Sequence, residues 1–257
     1  MLFLIIRIIL FIIYLLLLLT IAIFVPFIFK ISNKLQSMFH GILLLLMGFN
    51  KPIIRDYRKH NHDNPIIIFQ HNSIADADIV GYTFGISSGV FNITYLRGFA
   101  RTIMKRIVDA TDAIILDKNK KNNSQIILDF IKNNPDKVVC MAPAGGFTTF
   151  HNRFGEKFSS GAFILGKPVS PMLIRYSSDN GTWFVNETEC LGPWKWLIKR
   201  LSTYGTKIEV ILMPEMCAEK DEKPTEYAER VRIAMIEFDK THPPNFQRSK
   251  GSKGSKG

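Results

Sequence analysis

From Ile8 to Phe29 the chain carries no charged residue. At ~1.5 Å per residue this uncharged stretch makes a helix of about 33 Å, against about 30 Å of bilayer hydrocarbon. Arg7 interrupts the apolar run near its start and is long enough to snorkel toward an interface. Pro26 lies near the far end, where a membrane helix tolerates it. A signal peptide has a shorter apolar region and a small-residue cleavage site, and no A-x-A pattern follows here. The run therefore predicts a retained transmembrane anchor over residues 1–30. A second apolar stretch, Met38 to Phe49, is too short to span alone. It predicts a short interfacial or re-entrant helix over residues 31–50, with a buried core helix as the alternative. Lys30, Lys34, Lys51, Arg55, Arg58 and Lys59 follow the uncharged run, and only Arg7 and the amino terminus precede it. The positive-inside rule then puts the rest of the chain on the cytoplasmic side of a single-pass or monotopic protein.

The remaining length suits one domain, residues 51–240, followed by a basic tail over 241–257. That tail ends in three Ser-Lys-Gly repeats without apolar residues, a composition that does not fold. It reads as a solvated tail, a weak contact with anionic lipid or an appended tag. The net charge is +11, which points to anionic lipid or phosphate-bearing ligands. Nucleic acid is not an expected partner, because neither zinc spacing nor a basic recognition helix accompanies the charge. Cys140, Cys190 and Cys217 are odd in number and widely spaced, so no disulfide framework or CxxC pair can be read. Short apolar runs alternate with amphipathic ones. Strands are expected at 65–70, 91–96, 113–116, 138–141, 169–176 and 208–213, and helices at 78–82, 98–110, 123–134 and 224–239. That alternation predicts an α/β fold with a mostly parallel sheet flanked by helices.

The first of those strands ends at His71. A histidine between a buried strand and a helix sits where α/β sheets bind ligands, and it can accept a proton near neutral pH. A carboxylate on its second ring nitrogen would fix the tautomer and stabilise the imidazolium. Asp76 and Asp78 compete for that place. Along a continuous helix, seven residues bring Asp78 back to the face of His71 while five leave Asp76 about 140° away. If His71 precedes the helix, that spacing does not apply. An H-x4-D match by itself is weak and is most often structural.

Four blocks in order give it context. Gln70-His71-Asn72-Ser73-Ile74-Ala75-Asp76 is followed by Ile114-Ile115-Leu116-Asp117-Lys118, then by Pro143-Ala144-Gly145-Gly146-Phe147-Thr148-Thr149, and then by Lys167-Pro168-Val169-Ser170-Pro171 running on to Arg175 and Tyr176. The set resembles the glycerolipid acyltransferases: the glycerol-phosphate, lysophosphatidic acid and lysophospholipid acyltransferases. It covers roughly residues 50–240. The resemblance implies that Asp76 is the partner of a catalytic His71. It also implies that Lys118, Pro143, Ala144, Gly145, Gly146 and Arg175 bind substrate. Lys118 stands where the family usually has Arg.

The implied activity is transfer of an acyl group from acyl-CoA to the hydroxyl of a lysophospholipid or glycerol phosphate. Acyl-CoA is a co-substrate, and no cofactor and no metal are expected. The expected partners are a lipid membrane, of endoplasmic-reticulum type in a eukaryote, acyl-CoA and the acceptor lipid. Arg97, Arg101, Lys105, Arg106, Arg153 and Lys157 are further candidates for phosphate contact, or solvated and membrane-facing cations. One position departs from the family. Its third block reads Pro-Glu-Gly, and this chain has Ala144 in place of the Glu. A methyl group accepts no hydrogen bond. Three readings follow: an unusual acceptor, substitution by another carboxylate such as Glu156, or an acyltransferase-like membrane protein with little or no activity that binds lipid or acyl-CoA. An anchored serine hydrolase is a reading from another class, and the turn Ser159-Ser160-Gly161 lacks nucleophile-elbow geometry.

Overall fold

The computed structural model describes residues 2–24, 33–59, 66–85, 87–92, 102, 114–116, 123–135, 137–149, 152–164, 166–178, 181–182 and 191–246. Apart from Thr102, the expected helix at 98–110 lies outside them, as do the end of the 91–96 strand, the repeat tail, Arg97, Arg101, Lys105, Arg106 and Lys118. Among the described residues, seven strands form one sheet: β1 (Ile53–Asp56), β2 (Ile66–Phe69), β3 (Ser87–Asn92), β4 (Ile114–Leu116), β5 (Val138–Met141), β6 (Val169–Tyr176) and β7 (Ile208–Leu212). Their order is β1-β7-β6-β2-β5-β3-β4. Every pairing is parallel except β6 with β7. The helices are α1 (Leu2–Phe24), α2 (Asn33–Leu46), α3 (Asp76–Phe84), α4 (Asn123–Asn133), α5 (Pro193–Ser202) and α6 (Pro224–Thr241). The α/β class and the mostly parallel sheet are therefore as the alternation of the sequence predicts.

β2 and β6 are buried along their whole length, so both faces of the sheet centre are covered, as parallel sheets require. Alternate residues go to opposite layers. Ile67, Phe69, Met172, Ile174 and Tyr176 join one core, beneath α2, α3 and α5. Ile66, Ile68, Val169, Leu173 and Ile211 join the other, beneath α4 and α6. Arg175 falls on this second face. Its Nε lies 2.7 Å from Asp239 Oδ1 on α6, and its Nη1 lies 3.1 Å from Glu209 Oε2, its antiparallel neighbour on β7.

The two N-terminal helices pack antiparallel. Tyr14 donates to the carbonyl of Phe39 at 2.6 Å, and Arg7 donates to the carbonyl of Leu46 at 2.7 Å. Arg7 does not snorkel. It is 6% exposed, and its other Nη donates at 2.7 Å to the carbonyl of Thr203, just past the end of α5. One guanidinium thus serves carbonyls at two helix ends, where such groups lack helical partners. Gly48 turns the chain there with φ of 82°. A Cβ on it would lie 1.9 Å from the Thr203 carbonyl oxygen. Gly48→Ala is expected to destabilise the domain by about 2–3 kcal/mol, read as a melting-temperature fall of several degrees. An unchanged midpoint would show that this corner is not tightly packed. Arg7, Phe11 and Tyr14 face the domain. Leu2, Phe3, Ile6, Ile9, Ile13 and Leu16 line the outward face and are exposed. Among the described residues, no helix is long and apolar enough to cross a membrane. Residues 1 and 25–30 of the expected 1–30 anchor lie outside the described set.

Candidate active site

The carboxyl ends of three neighbouring strands converge. His71 lies two residues past β2, the Pro143–Gly146 turn follows β5, and Tyr176 closes β6. Chain ends of this kind are where open α/β sheets build sites. The helix α3 begins only at Asp76, after Ala75 as its N-cap. His71 is therefore outside the helix, and the seven-residue spacing that favours Asp78 does not operate. Asp76 turns its carboxylate back toward the approaching chain. Oδ2 accepts the backbone N–H groups of Asn72 at 2.7 Å and Ser73 at 2.8 Å, and it lies 3.1 Å from His71 Nδ1. Oδ1 accepts the hydroxyl of Tyr176. The carboxylate has no solvent exposure, and its place in the first turn of α3 suits its charge. The proton on Nδ1 is assigned from this partner, which leaves the lone pair of the ring on Nε2. Burial first, and the Asp76 charge second, hold the Tyr176 phenol well above its ordinary range, so it remains a donor.

The third block forms the facing wall. Gly145 N–H donates to the Ala142 carbonyl at 3.2 Å, closing a turn with Pro143 at its second position. Gly145 has φ of 74°, which favours glycine. A Cβ on Gly145 or Gly146 would meet nothing within 4 Å, so the main chain here borders open space. Beyond the turn, Thr148 N–H donates to the His71 carbonyl at 2.7 Å, and Asn72 Nδ2 donates to Thr148 Oγ1 at 2.9 Å. These bonds lock the first and third blocks together. Phe147, 38% exposed, stacks on His71 with ring centroids 4.1 Å apart. Ala144 lies against Gly155, whose added Cβ would sit 3.7 Å from the alanine methyl. Glu156, the candidate stand-in for the missing carboxylate, is the next residue and is exposed.

The other candidates separate from this cluster. Asp78 points away from His71 and pairs with His40 of α2, Nδ1 to Oδ1, at 2.9 Å. Arg175 is 1% exposed, with its donors turned to Glu209 and Asp239 on the opposite face of the sheet. It is not placed to meet a substrate phosphate, a correction to the role that the resemblance implies. Arg153 also pairs with Asp239, at 2.7 Å. Burial lowers its pKa, partly offset by that carboxylate. Lys118 lies outside the described residues. The serine-hydrolase reading has one letter match, Gly85-Ile86-Ser87-Ser88-Gly89. Ser87, however, opens β3 and pairs with Val138 of β5, which is not a strand-to-helix elbow. Sequence reasoning did not single out Asn72, Phe147 or Tyr176 as site residues. Tyr176 could be found from the sequence only as the residue that closes the strand expected at 169–176, beside the strand that ends before His71.

An α/β sheet carrying a His–Asp pair opposite a glycine turn is the class of site that this fold defines. No family model matches the chain. Glycerol-3-phosphate acyltransferase 4 of Mus musculus is 23% identical over 68% of this chain, which covers 36% of that relative. Glycerol-3-phosphate acyltransferase 3 of Homo sapiens is 22% identical over 68% of the chain and 38% of its own length. Lysophospholipid acyltransferase LPCAT4 of Xenopus tropicalis is 24% identical over 81% of the chain and 41% of its own length. The chain thus spans less than half the length of these curated relatives. In fold it resembles the crystal structure of the 1-acyl-sn-glycerophosphate acyltransferase PlsC from Thermotoga maritima. That match has a TM-score of 0.58 at 13% identity, over 93% of this chain and 99% of that one. In sequence the chain is thus similar to glycerolipid acyltransferases.

Proposed function

We propose that the protein is an acyl-CoA-dependent O-acyltransferase that acylates the hydroxyl of a lysophospholipid or glycerol-phosphate-type acceptor. The observation that carries this reading is the His71–Asp76 contact of 3.1 Å, held opposite the open glycine turn. His71 Nε2 takes the proton of the acceptor hydroxyl. Asp76 keeps the ring oriented and stabilises its charged form. The acceptor oxygen attacks the thioester carbonyl. As the tetrahedral intermediate collapses, the C–S bond breaks, and the leaving thiolate takes the proton from His71. The N–H of Gly146, next to the turn-closing Gly145, supplies a donor for the oxyanion, a contribution that acts where charge develops.

The test is one labelled acyl-CoA offered with a panel of lysophospholipids and glycerol phosphate, the products being identified by mass. An ester product that depends on His71 supports the reading. Acyl-CoA binding with neither transfer nor hydrolysis would favour the second reading, an inactive acyl-CoA- or lipid-binding protein, for which Ala144 is the specific observation.

The exposed apolar stripe of α1 supports attachment to a bilayer. Because Arg7, Phe11 and Tyr14 are committed to the domain on the other face, α1 meets lipid from one side. This supports a monotopic attachment. Replacing Ile9 and Ile13 together by Asp is expected to lower binding to vesicles of neutral and anionic phospholipid about tenfold or more in a flotation assay. Undiminished flotation would remove α1 from the membrane contact.

A further inference from the structure

The Asp76 carboxylate has a second anchor on the opposite oxygen from His71. Tyr176 is the last residue of β6, buried beneath α3 in the same core as Phe69 and Ile174. Its ring cannot swing away. Phe49 lies at a centroid distance of 5.8 Å, and Gly181 approaches so closely that a Cβ there would sit 2.4 Å from Tyr176 Cδ1. Gln70 Nε2 donates to the Ile174 carbonyl at 2.7 Å, fixing the end of β6 against the residue before His71. The hydroxyl is thereby aimed at Asp76 Oδ1, while Oδ2 carries the two main-chain N–H groups and faces His71.

We propose that Tyr176 is a positioning residue of the His71–Asp76 pair, clamping one carboxylate oxygen so that the other is held toward His71 with its charge partly drawn off by the phenol. This inference rests on the acyltransferase reading of the site. A donor on Oδ1 stabilises the ionised carboxylate, so the pair binds its extra proton less tightly. Removing that donor makes the pair bind the proton more tightly, wherever within the pair it resides. The acidic limb of the kcat/KM profile then moves to higher pH. Strengthening the donor moves it to lower pH.

The experiment uses the full chain in phospholipid vesicles, with wild type, Tyr176→Phe, Phe49→Leu and His71→Ala measured together. Tyr176→Phe is expected to lower kcat about tenfold to a hundredfold, as loss of a hydrogen bond to a buried charge implies, with KM for both substrates within about twofold. Its acidic limb is expected to rise by about half a pH unit to one unit. Phe49→Leu loosens the same packing without touching the hydroxyl, and lowers the melting temperature without moving the limb. Should Tyr176→Phe not fold, 3-fluorotyrosine at position 176 keeps the ring, strengthens the donor and moves the limb to lower pH. An acidic limb that stays at its wild-type position in the phenylalanine or fluorotyrosine protein overturns the proposal. So does an equal movement in Phe49→Leu. Full activity of His71→Ala would instead overturn the acyltransferase mechanism beneath it, so the two failures are distinguishable.

Discussion

Replacing His71 by Ala is expected to reduce acyl transfer by about 10²–10⁴-fold, the usual contribution of a general base, with acyl-CoA still bound. The side chain makes few structural contacts whose loss would unfold the chain. Its Nδ1 touches Asp76, and its ring stacks on the exposed Phe147. Asp76→Asn is expected to match most of that loss, because an amide no longer stabilises the imidazolium and can hold the wrong tautomer. Asp76→Ala costs more besides, since the N–H groups of Asn72 and Ser73 then lose their buried acceptor. Asp78→Asn is the control: its carboxylate faces His40, not His71, and transfer should stay within about twofold. Labelled product formed per minute in vesicles reads all four. If His71→Ala transfers acyl groups at the wild-type rate, no general-base account of this site survives.

The contrast between Asp76 and Asp78 shows what was legible in the residues. That His71 closes a buried strand can be read from the apolar run before it, and the structure has β2 ending at Phe69. Which aspartate it meets depends on where the next helix begins, and helix boundaries are the weakest part of such a reading. The start at Asp76 removes His71 from the helical repeat. β6 is expected at 169–176 and lies at Val169–Tyr176, since eight residues buried on both faces make an unambiguous run. β1 is a four-residue edge strand, mostly exposed, and had no alternation to reveal it. α5 escaped for a related reason: Lys195 and Lys199 interleave with Trp196 and Leu201 over only ten residues. The two arginines, Arg7 and Arg175, follow the same logic. A sequence shows a cation but not its partners, and those of Arg7 lie at residues 46 and 203. The first and third blocks meet through Thr148 and His71, 77 positions apart, a contact that only the closed sheet creates.

Arg175 offers the sharpest separation between a substrate contact and a structural one. Arg175→Leu is expected to destabilise the domain by about 3–5 kcal/mol, the usual result of stripping one partner from a buried ion pair. Glu209, fully buried, would keep Arg55 at 2.8 Å and the Asn245 N–H at 3.3 Å, and Asp239 would keep Arg153. For a chain of this size that corresponds to a melting-temperature fall of roughly 10 °C. Arg175→Lys should recover only part of it. An ammonium cannot reproduce Nε on Asp239 Oδ1, Nη1 on Glu209 and Nη2 on the Asp239 carbonyl together. A phosphate-binding arginine predicts the reverse pattern: an unchanged melting temperature with a raised KM for phosphate-bearing acceptors. Thermal unfolding and acceptor KM measured on one preparation decide between them. Geometry favours the first outcome, because a guanidinium with carboxylates on two edges and 1% exposure has no donor turned to the side of the sheet where Asp76 and Tyr176 meet.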